Sequence, residues 1–452
     1  MEILIKNGTI INSETSSIED ILVIDDKIVK IGKDIRVNKN CKIIDATGKY
    51  VIPGGIDPHV HMQLPTPAGP SSDDFFTGSC AALFGGTTTI IDFVTPARGH
   101  SITDALKKRR KEAEKSLTNY SLHVSPVEWR GTTEAEIKNC LKLGFNSFKV
   151  YLAYKNTVGL KDDEFELVLN TVVEHGGLVT IHCEDGDKVD ELRNKFASED
   201  NVSPLFHAKS RPAEFEALAV KKSIDLAAKY NCPIYIVHVS SVLSLEYIHQ
   251  AQQTGQKVYA ETCPHYLLLD DSKYLGEFNK TVPFVLSPPL RKKTDQEALW
   301  QAITTGTLQT VGTDHCPFNL EQKAVGINDF RRIPNGAGGI EHRLALLYTY
   351  GVLKHRISLN QWVDVCSTQP AKIFGLSHKG KIAVGFDADI VIWDPDFENT
   401  ISVKNHHQRC DLEIFEGFKT KGLAETVIRN GRIVVDNGEM YTDTSNGNLL
   451  CR

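Results

Sequence analysis

Thr87-Thr88-Thr89-Ile90-Ile91-Asp92-Phe93-Val94 reads as a strand, residues 102–116 as a helix, and Tyr120-Ser121-Leu122-His123-Val124-Ser125-Pro126 as a second strand. Strand, helix and strand in succession form the crossover unit of a parallel sheet, because parallel neighbours need a long return connection. The unit recurs in both directions. Eight strand-like runs are expected, at residues 50–61, 87–94, 120–126, 147–154, 178–184, 233–240, 257–266 and 308–315. Helical patterns at 102–116, 163–175, 212–230 and 294–304 fill most of the gaps. This alternation favours a closed (β/α)8 TIM-like barrel, with an open doubly wound sheet as the competing architecture.

The ends of the chain read differently. Ile3-Leu4-Ile5, an Asn7-Gly8 turn, Thr9-Ile10-Ile11 and Ile21-Leu22-Val23-Ile24 form a β module at the start. Ile390-Val391-Ile392-Trp393, Thr426-Val427-Ile428, an Asn430-Gly431 turn and Arg432-Ile433-Val434-Val435 form a similar one at the finish. A lone hairpin is marginally stable in water, so the two modules are expected to join as one small antiparallel β-sandwich. The expected division is residues 1–52 and 379–440 as sandwich, 53–378 as barrel and 441–452 as a C-terminal tail. The tail, with Thr442, Thr444, Ser445, Asn446 and Asn448, is expected either to reach a neighbouring chain or to fray.

Composition sets the class. The chain has 452 residues, 41% hydrophobic and 24% charged, which is ordinary for a globular protein and excludes disordered, collagenous and membrane-spanning classes. A charge of -6, from 51 basic and 57 acidic residues in no long block, points to neither a nucleic-acid groove nor an anionic membrane surface. The expected partner is a small, near-neutral molecule. Ten cysteines without a Cys-x-x-Cys pair fit a reducing compartment, and no signal peptide or terminal address is evident, so a cytoplasmic location is expected.

The ends of the barrel runs carry the chemistry. His59 and His61 lie two apart and so share a strand face. Lys149, His182, His238 and Asp314 end four later runs. All would meet at the C-terminal mouth, where barrel enzymes keep their active sites. Taken alone, a strand-end histidine is ordinarily a hydrogen-bonded rim residue, Asp314 fits a helix cap and Lys149 a solvent-facing position. Four aligned imidazoles and a carboxylate instead suit zinc or a similar borderline divalent ion. The uncharged amine of a buried lysine can take up carbon dioxide, and the carbamate is an oxygen donor able to bridge two cations. Cys183, Cys263 and Cys316, also near strand ends, read as buried structural thiols.

Across the chain the sequence resembles the dihydropyrimidinases and hydantoinases, cyclic amide hydrolases of the amidohydrolase superfamily. The resemblance rests on Gly54-Gly55-Ile56-Asp57-Pro58-His59-Val60-His61, Phe84-Gly85-Gly86-Thr87-Thr88, Glu261-Thr262-Cys263-Pro264-His265-Tyr266, and the stretch from Gly312-Thr313-Asp314-His315-Cys316 to Ile333-Pro334-Asn335-Gly336. The last is the most discriminating, through Phe318-Asn319, Gln322-Lys323 and Asp329-Phe330.

The resemblance implies two zinc ions, one held by His59, His61 and Asp314 and the other by His182 and His238, bridged by carbamylated Lys149 and a hydroxide. It implies that Tyr154 donates its phenol to the substrate carbonyl oxygen, and that Ser287 and Asn335 grip the cyclic amide, largely through backbone groups. Asp314 is expected to move the proton from the attacking hydroxide to the leaving ring nitrogen, opening the ring to an N-carbamoyl amino acid. A homotetramer is implied as well. Leu64, Leu152 and Met62 are expected to shape the pocket for the exocyclic substituent. Allantoinase and dihydroorotase are the sister alternatives; the second commonly places an arginine shortly after His-x-His, where this chain has Met62-Gln63-Leu64. A noncatalytic scaffold is the alternative of another class, opposed by the presence of all six expected ligands.

Overall fold

The computed structural model describes residues 1–441 and 446–451. Eight strands follow one another in chain order around a parallel sheet: Gly55–Val60, Thr87–Val94, Asn119–Val124, Ser147–Tyr151, Leu178–His182, Ile234–Ile236, Val258–Thr262 and Thr310–Val311. Each expected run overlaps one of them, seven containing it whole and the run 120–126 missing only Asn119. The circle closes where Val60 bridges His315, with the His61 amide donating to the His315 carbonyl at 2.8 Å. The last strand has only two residues. Arg343, fully buried, reinforces that seam by donating from Nη1 to the carbonyls of Ile56 and Val311, each at 2.9 Å.

Helices cover the outside of the barrel. Leu106, Ile137, Phe165, Val220, Ile248 and Leu299 from six helices pack on Leu122, Phe148, Val150, Ile181, Ile234 and Ala260 from the strands. Because strand side chains alternate, burial of Phe148 and Val150 outward leaves Lys149 on the inner side, and Ile181 does the same for His182.

The sandwich draws on both termini. One sheet orders Lys27–Gly32, Asp20–Ile24, Glu2–Lys6 and Lys42–Asp45; the other runs Glu439–Met440, Arg432–Asp436, Lys419–Arg429, Ile390–Thr400, Tyr50–Pro53, Thr9–Ile11 and Ser16–Ile18. Ile3, Ile5, Ile21 and Val23 of the first face Ile10, Val51, Ile390, Ile392 and Ile428 of the second in one apolar core. The Asn430-Gly431 turn has both residues at positive φ, 48° and 70°, as a tight hairpin turn requires.

Two sequence expectations change. The sheets are mixed, since Ile3–Lys6 runs parallel to Lys42–Asp45 and Thr9-Ile10 parallel to Tyr50-Val51. The run 50–61 is two strands divided at Gly54, the first half in the sandwich and the second in the barrel. Of the tail, Thr442, Thr444 and Ser445 lie outside the described residues. Asn446 and Asn448 lie against their own chain: the Tyr120 amide donates to the Asn448 carbonyl at 2.9 Å, the Leu450 amide to the Tyr120 carbonyl at 2.8 Å, and Leu449 joins the apolar cluster around Tyr120 and Phe75.

Candidate metal centre

Five strand ends converge. The Oδ1 atom of Asp314 lies 3.0 Å from His61 Nε2 and 3.1 Å from His59 Nε2, and these three donor atoms fall within 4.8 Å of one another. His182 Nδ1 and His238 Nε2 face each other at 2.8 Å. The His59 ring stands 5.5 Å from that of His238, which joins the two groups.

Two of the four imidazoles, His59 and His182, have their orientation set from behind. His59 gives its Nδ1–H to Glu261 Oε1 at 2.7 Å, and His182 gives its Nε2–H to Glu184 Oε2 at 2.8 Å. Glu184 in turn accepts from Arg211 Nη1 at 2.6 Å, both side chains being about as buried as any in the protein. Histidines that bind metals are held in this way, with the far ring nitrogen committed to a carboxylate. The consequence for His59 is sharp. In the neutral ring its Nε2 is bare and points at a carboxylate oxygen, so two lone pairs meet unless a proton or a cation lies between them.

Lys149 adds a second anomaly. It is 1% exposed, its Nζ has no hydrogen-bond partner among the described residues, and it sits between the rings of Phe93 and Tyr151 at 5.2 and 5.1 Å. Burial pulls its amine down to about 8, so the uncharged nucleophilic form is within reach. His61 Nδ1 and His238 Nδ1 are likewise buried without partners. Burial alone would raise the Asp314 carboxyl, but the histidines facing it hold it below the ordinary carboxylate range. Four nitrogens, one carboxylate and an orphaned buried amine thus form a donor set suited to divalent cations.

Backbone conformation aims three of these residues. Tyr154, His238 and Asp314 have φ of 57°, 41° and 50°, a left-handed region that non-glycine residues seldom occupy and that clusters at functional sites. For His238 the turn is decisive. Alternation alone would put it on the side of Ile234 and Ile236, which face the helices. The strand stops at Ile236, and the changed chain direction brings the ring to His182 instead.

Tyr154 lies three residues past the end of its strand, with its ring 5.5 Å from that of His182. Asn335 Nδ2 donates to Ser287 Oγ at 3.0 Å and approaches the Tyr154 hydroxyl at 3.4 Å, so the three residues expected to hold a substrate form one chain of contacts. Met62 is different. It lies two residues past the end of its strand, fully buried in the cluster of Val60, Phe75 and Ala81, and offers no surface to a pocket. The thiols of Cys183, Cys263 and Cys316 are buried and pushed up by burial, Cys183 to about 12, as inert structural thiols are.

A model of the Amidohydrolase family matches residues 50–434. The chain belongs to the amidohydrolase family. Within it, this amidohydrolase is 41% identical to a D-hydantoinase of Ralstonia pickettii, over 100% of its own length and 99% of the relative's. It is 39% identical to a dihydropyrimidinase of Arabidopsis thaliana, covering 99% and 85% of the two chains. The crystal structure of dihydropyrimidinase from Brevibacillus agri superposes with a TM-score of 0.98 at 41% identity, covering 100% of this amidohydrolase and 98% of that chain. These matches place it on the hydantoinase and dihydropyrimidinase branch that the sequence motifs indicated.

Several residues of the amidohydrolase site carry no role in the sequence reading. Glu261 orients His59 and also accepts from the His238 amide at 3.1 Å and the Tyr235 hydroxyl at 2.8 Å. Asp57 fastens the first strand to the last by accepting from the amides of His59 and Thr313, each at 3.1 Å. A carboxylate inside an apolar strand run is the signal that could have found both. Lys323 is a third case: 1% exposed, it donates from Nζ to the carbonyls of Val285 at 3.0 Å and Pro334 at 3.1 Å, tying together the segments that present Ser287 and Asn335.

Burial lowers the Lys323 amine to about 7. The folded value lies below the unfolded one, so between the two the unfolded chain binds more protons and stability rises with pH; below about 7 both states are protonated and the effect vanishes. Between pH 7.5 and 9.5 the wild type should therefore gain about 1.4 kcal/mol per pH unit relative to Lys323→Met. Unfolding of both proteins across that range checks this, and parallel curves would exclude it.

Proposed function

We propose that this amidohydrolase opens 5,6-dihydropyrimidines and hydantoins by hydrolysis of the cyclic amide bond, giving N-carbamoyl amino acids, as a step in pyrimidine breakdown. The observation that carries the reading is the convergence of His59, His61, His182, His238 and Asp314 at a barrel mouth that also holds a buried lysine amine with no hydrogen-bond partner among the described residues. The sites fit two zinc ions: His59, His61 and Asp314 would hold one, His182 and His238 the other, and Lys149 as a carbamate would serve both. Bound there, the ions would supply Lewis acidity to the ring carbonyl and make water acidic enough to ionise near neutral pH.

The chain's own groups then have separable tasks. Asp314 takes the proton of the attacking water and returns it to the departing ring nitrogen, as the carboxylate that stands among the imidazoles at the barrel mouth. The Tyr154 hydroxyl donates to the carbonyl oxygen as negative charge builds on it. Ser287 and Asn335 fix the imide edge with neutral donors and acceptors, which suits a substrate with no obligatory carboxylate. Tyr154→Phe should lower kcat about 10²- to 10³-fold with little change in KM, the signature of a contact made in the transition state. Steady-state kinetics on dihydrouracil checks it, and an unchanged kcat would remove Tyr154 from this role.

Parallel assays of dihydrouracil, substituted hydantoins, allantoin and dihydroorotate test the substrate class. Turnover of one of the first two is expected to exceed the others by orders of magnitude; preferential turnover of allantoin or dihydroorotate would overturn the assignment. We also propose a division at residues 1–52 and 379–440 for the sandwich and 53–378 for the barrel, a homotetrameric assembly and a cytoplasmic location. Among the described residues no helix is long and apolar enough to cross a membrane.

A further inference from the structure

We propose that His342, His406, Gln408 and Glu413 form a separate, structural site for one zinc-class divalent cation. His342 immediately precedes the helix Arg343–Leu347, and the other three belong to the connection 401–418 between Ile390–Thr400 and Lys419–Arg429. None takes part in the barrel-mouth site.

The distances define a compact donor set. His342 Nε2 lies 3.0 Å and His406 Nδ1 3.2 Å from the same oxygen, Oε2 of Glu413, and the three atoms fall within 4.8 Å of one another. The Gln408 amide nitrogen lies 3.3 Å from His342 Nε2, 3.2 Å from His406 Nδ1 and 3.3 Å from Glu413 Oε2. Four donors around a tetrahedral zinc, at bonds of about 2.0–2.1 Å, sit roughly 3.3 Å apart. The five separations above, 3.0 to 3.3 Å, are close to that, and they resemble the 3.0 and 3.1 Å separations around Asp314.

Hydrogen-bond logic separates this group from an ordinary polar cluster. His406 Nε2 lies 3.0 Å from the Cys410 carbonyl, which can only accept, so the ring proton is committed there. In the neutral ring Nδ1 is then bare and faces the Glu413 carboxylate, the same opposition of lone pairs that His59 shows toward Asp314. If protons alone filled the gap, three N–H groups, from His342, His406 and Gln408, would crowd a single oxygen of Glu413. The carbonyl oxygen of Gln408, a residue 6% exposed, would remain buried without a partner, as it is with the amide in its present sense. The two ends of an amide are nearly isosteric. A half-turn of the Gln408 amide places that orphaned oxygen where the nitrogen stands and completes a two-nitrogen, two-oxygen donor set.

The site is closed. The side chains of His342, His406 and Glu413 are 8%, 3% and 1% exposed, leaving no open position for substrate, which marks it as structural rather than catalytic. The cation would pin the connection 401–418 to the barrel. That connection also meets the loop after the first strand, where the Arg409 amide donates to Asp73 Oδ1 at 2.8 Å and the other Asp73 oxygen accepts from His315 at 3.0 Å.

Crystals of the wild-type protein grown above pH 7 with saturating zinc salt, and measured at the zinc absorption edge, test this directly. An anomalous peak between His342, His406 and Glu413 is expected; its absence at saturating zinc would overturn the proposal and leave a proton-bridged cluster. A peak at the barrel mouth alone would sink only this inference, and a peak here alone only the proposed function. In solution, Glu413→Gln should lower bound zinc by one equivalent per chain relative to wild type, and equal metal content in the two would also overturn it. His342→Asn, which keeps the carboxylate in place, should lose the same equivalent if Glu413→Gln fails to fold.

Discussion

Asp314→Asn protein, loaded with its full complement of metal, is expected to hydrolyse dihydrouracil about 10³- to 10⁴-fold more slowly than the wild type. The substitution keeps the size of the side chain and an oxygen with which to coordinate, so occupancy and geometry can survive it. It removes the ability to carry a proton. The loss should fall on kcat, because the contacts assigned to substrate binding, from Ser287 and Asn335, are untouched. Metal analysis of the same preparation is part of the measurement. A variant with full metal content and activity within tenfold of wild type would show that another group moves the proton.

The second large effect is at Lys149. Lys149→Met replaces an amine by an apolar chain of similar length at a position 1% exposed. The amine has no hydrogen-bond partner among the described residues, so the fold loses no hydrogen bond, the apolar chain can still pack between the Phe93 and Tyr151 rings, and the cost of burying a polar group is relieved. Thermal stability in the absence of metal should be unchanged or higher. Bound metal should fall well below two equivalents and activity by at least about 10³-fold, because the oxygen donor shared between the ions would be gone. Millimolar propionate, a free carboxylate small enough to enter the space, should restore part of both. Retention of two metals by Lys149→Met would refute the carbamate, whereas a collapse of stability without metal would show that the lysine serves the fold.

Much of the architecture was legible because it is periodic. Each of the eight runs overlaps a barrel strand, and Phe148 and Val150 flanking Lys149 already disclose which way the lysine faces. The His59 and His61 pair was readable for the same reason. What escaped the sequence is long-range or conformational. Nothing local announces that Arg343 reaches the carbonyls of Ile56 and Val311, or that Lys323 reaches Val285 and Pro334. The position of His238 contradicts the strict strand period, and only its left-handed backbone explains it. Met62 shows a different error. Proximity in sequence to the histidines suggested a pocket role, yet past the strand end the side chain is buried in the cluster of Val60 and Phe75. Glu184 and Glu261 were within reach, since a buried carboxylate beside a histidine in an apolar run must have a cationic or N–H partner.

The sandwich pairs Tyr50–Pro53 with Ile390–Thr400. A ribosome delivers these strands far apart in time, so every nascent molecule carries its opening segment with an unfilled sheet edge while the whole barrel is being made. Such an edge can recruit a strand from a neighbouring polysome product, and the exposed Ser16–Ile18 at the far side of the sheet adds a charge-free invitation. Expression yield should therefore respond to synthesis rate and to chaperone supply more than to the intrinsic stability of the finished enzyme.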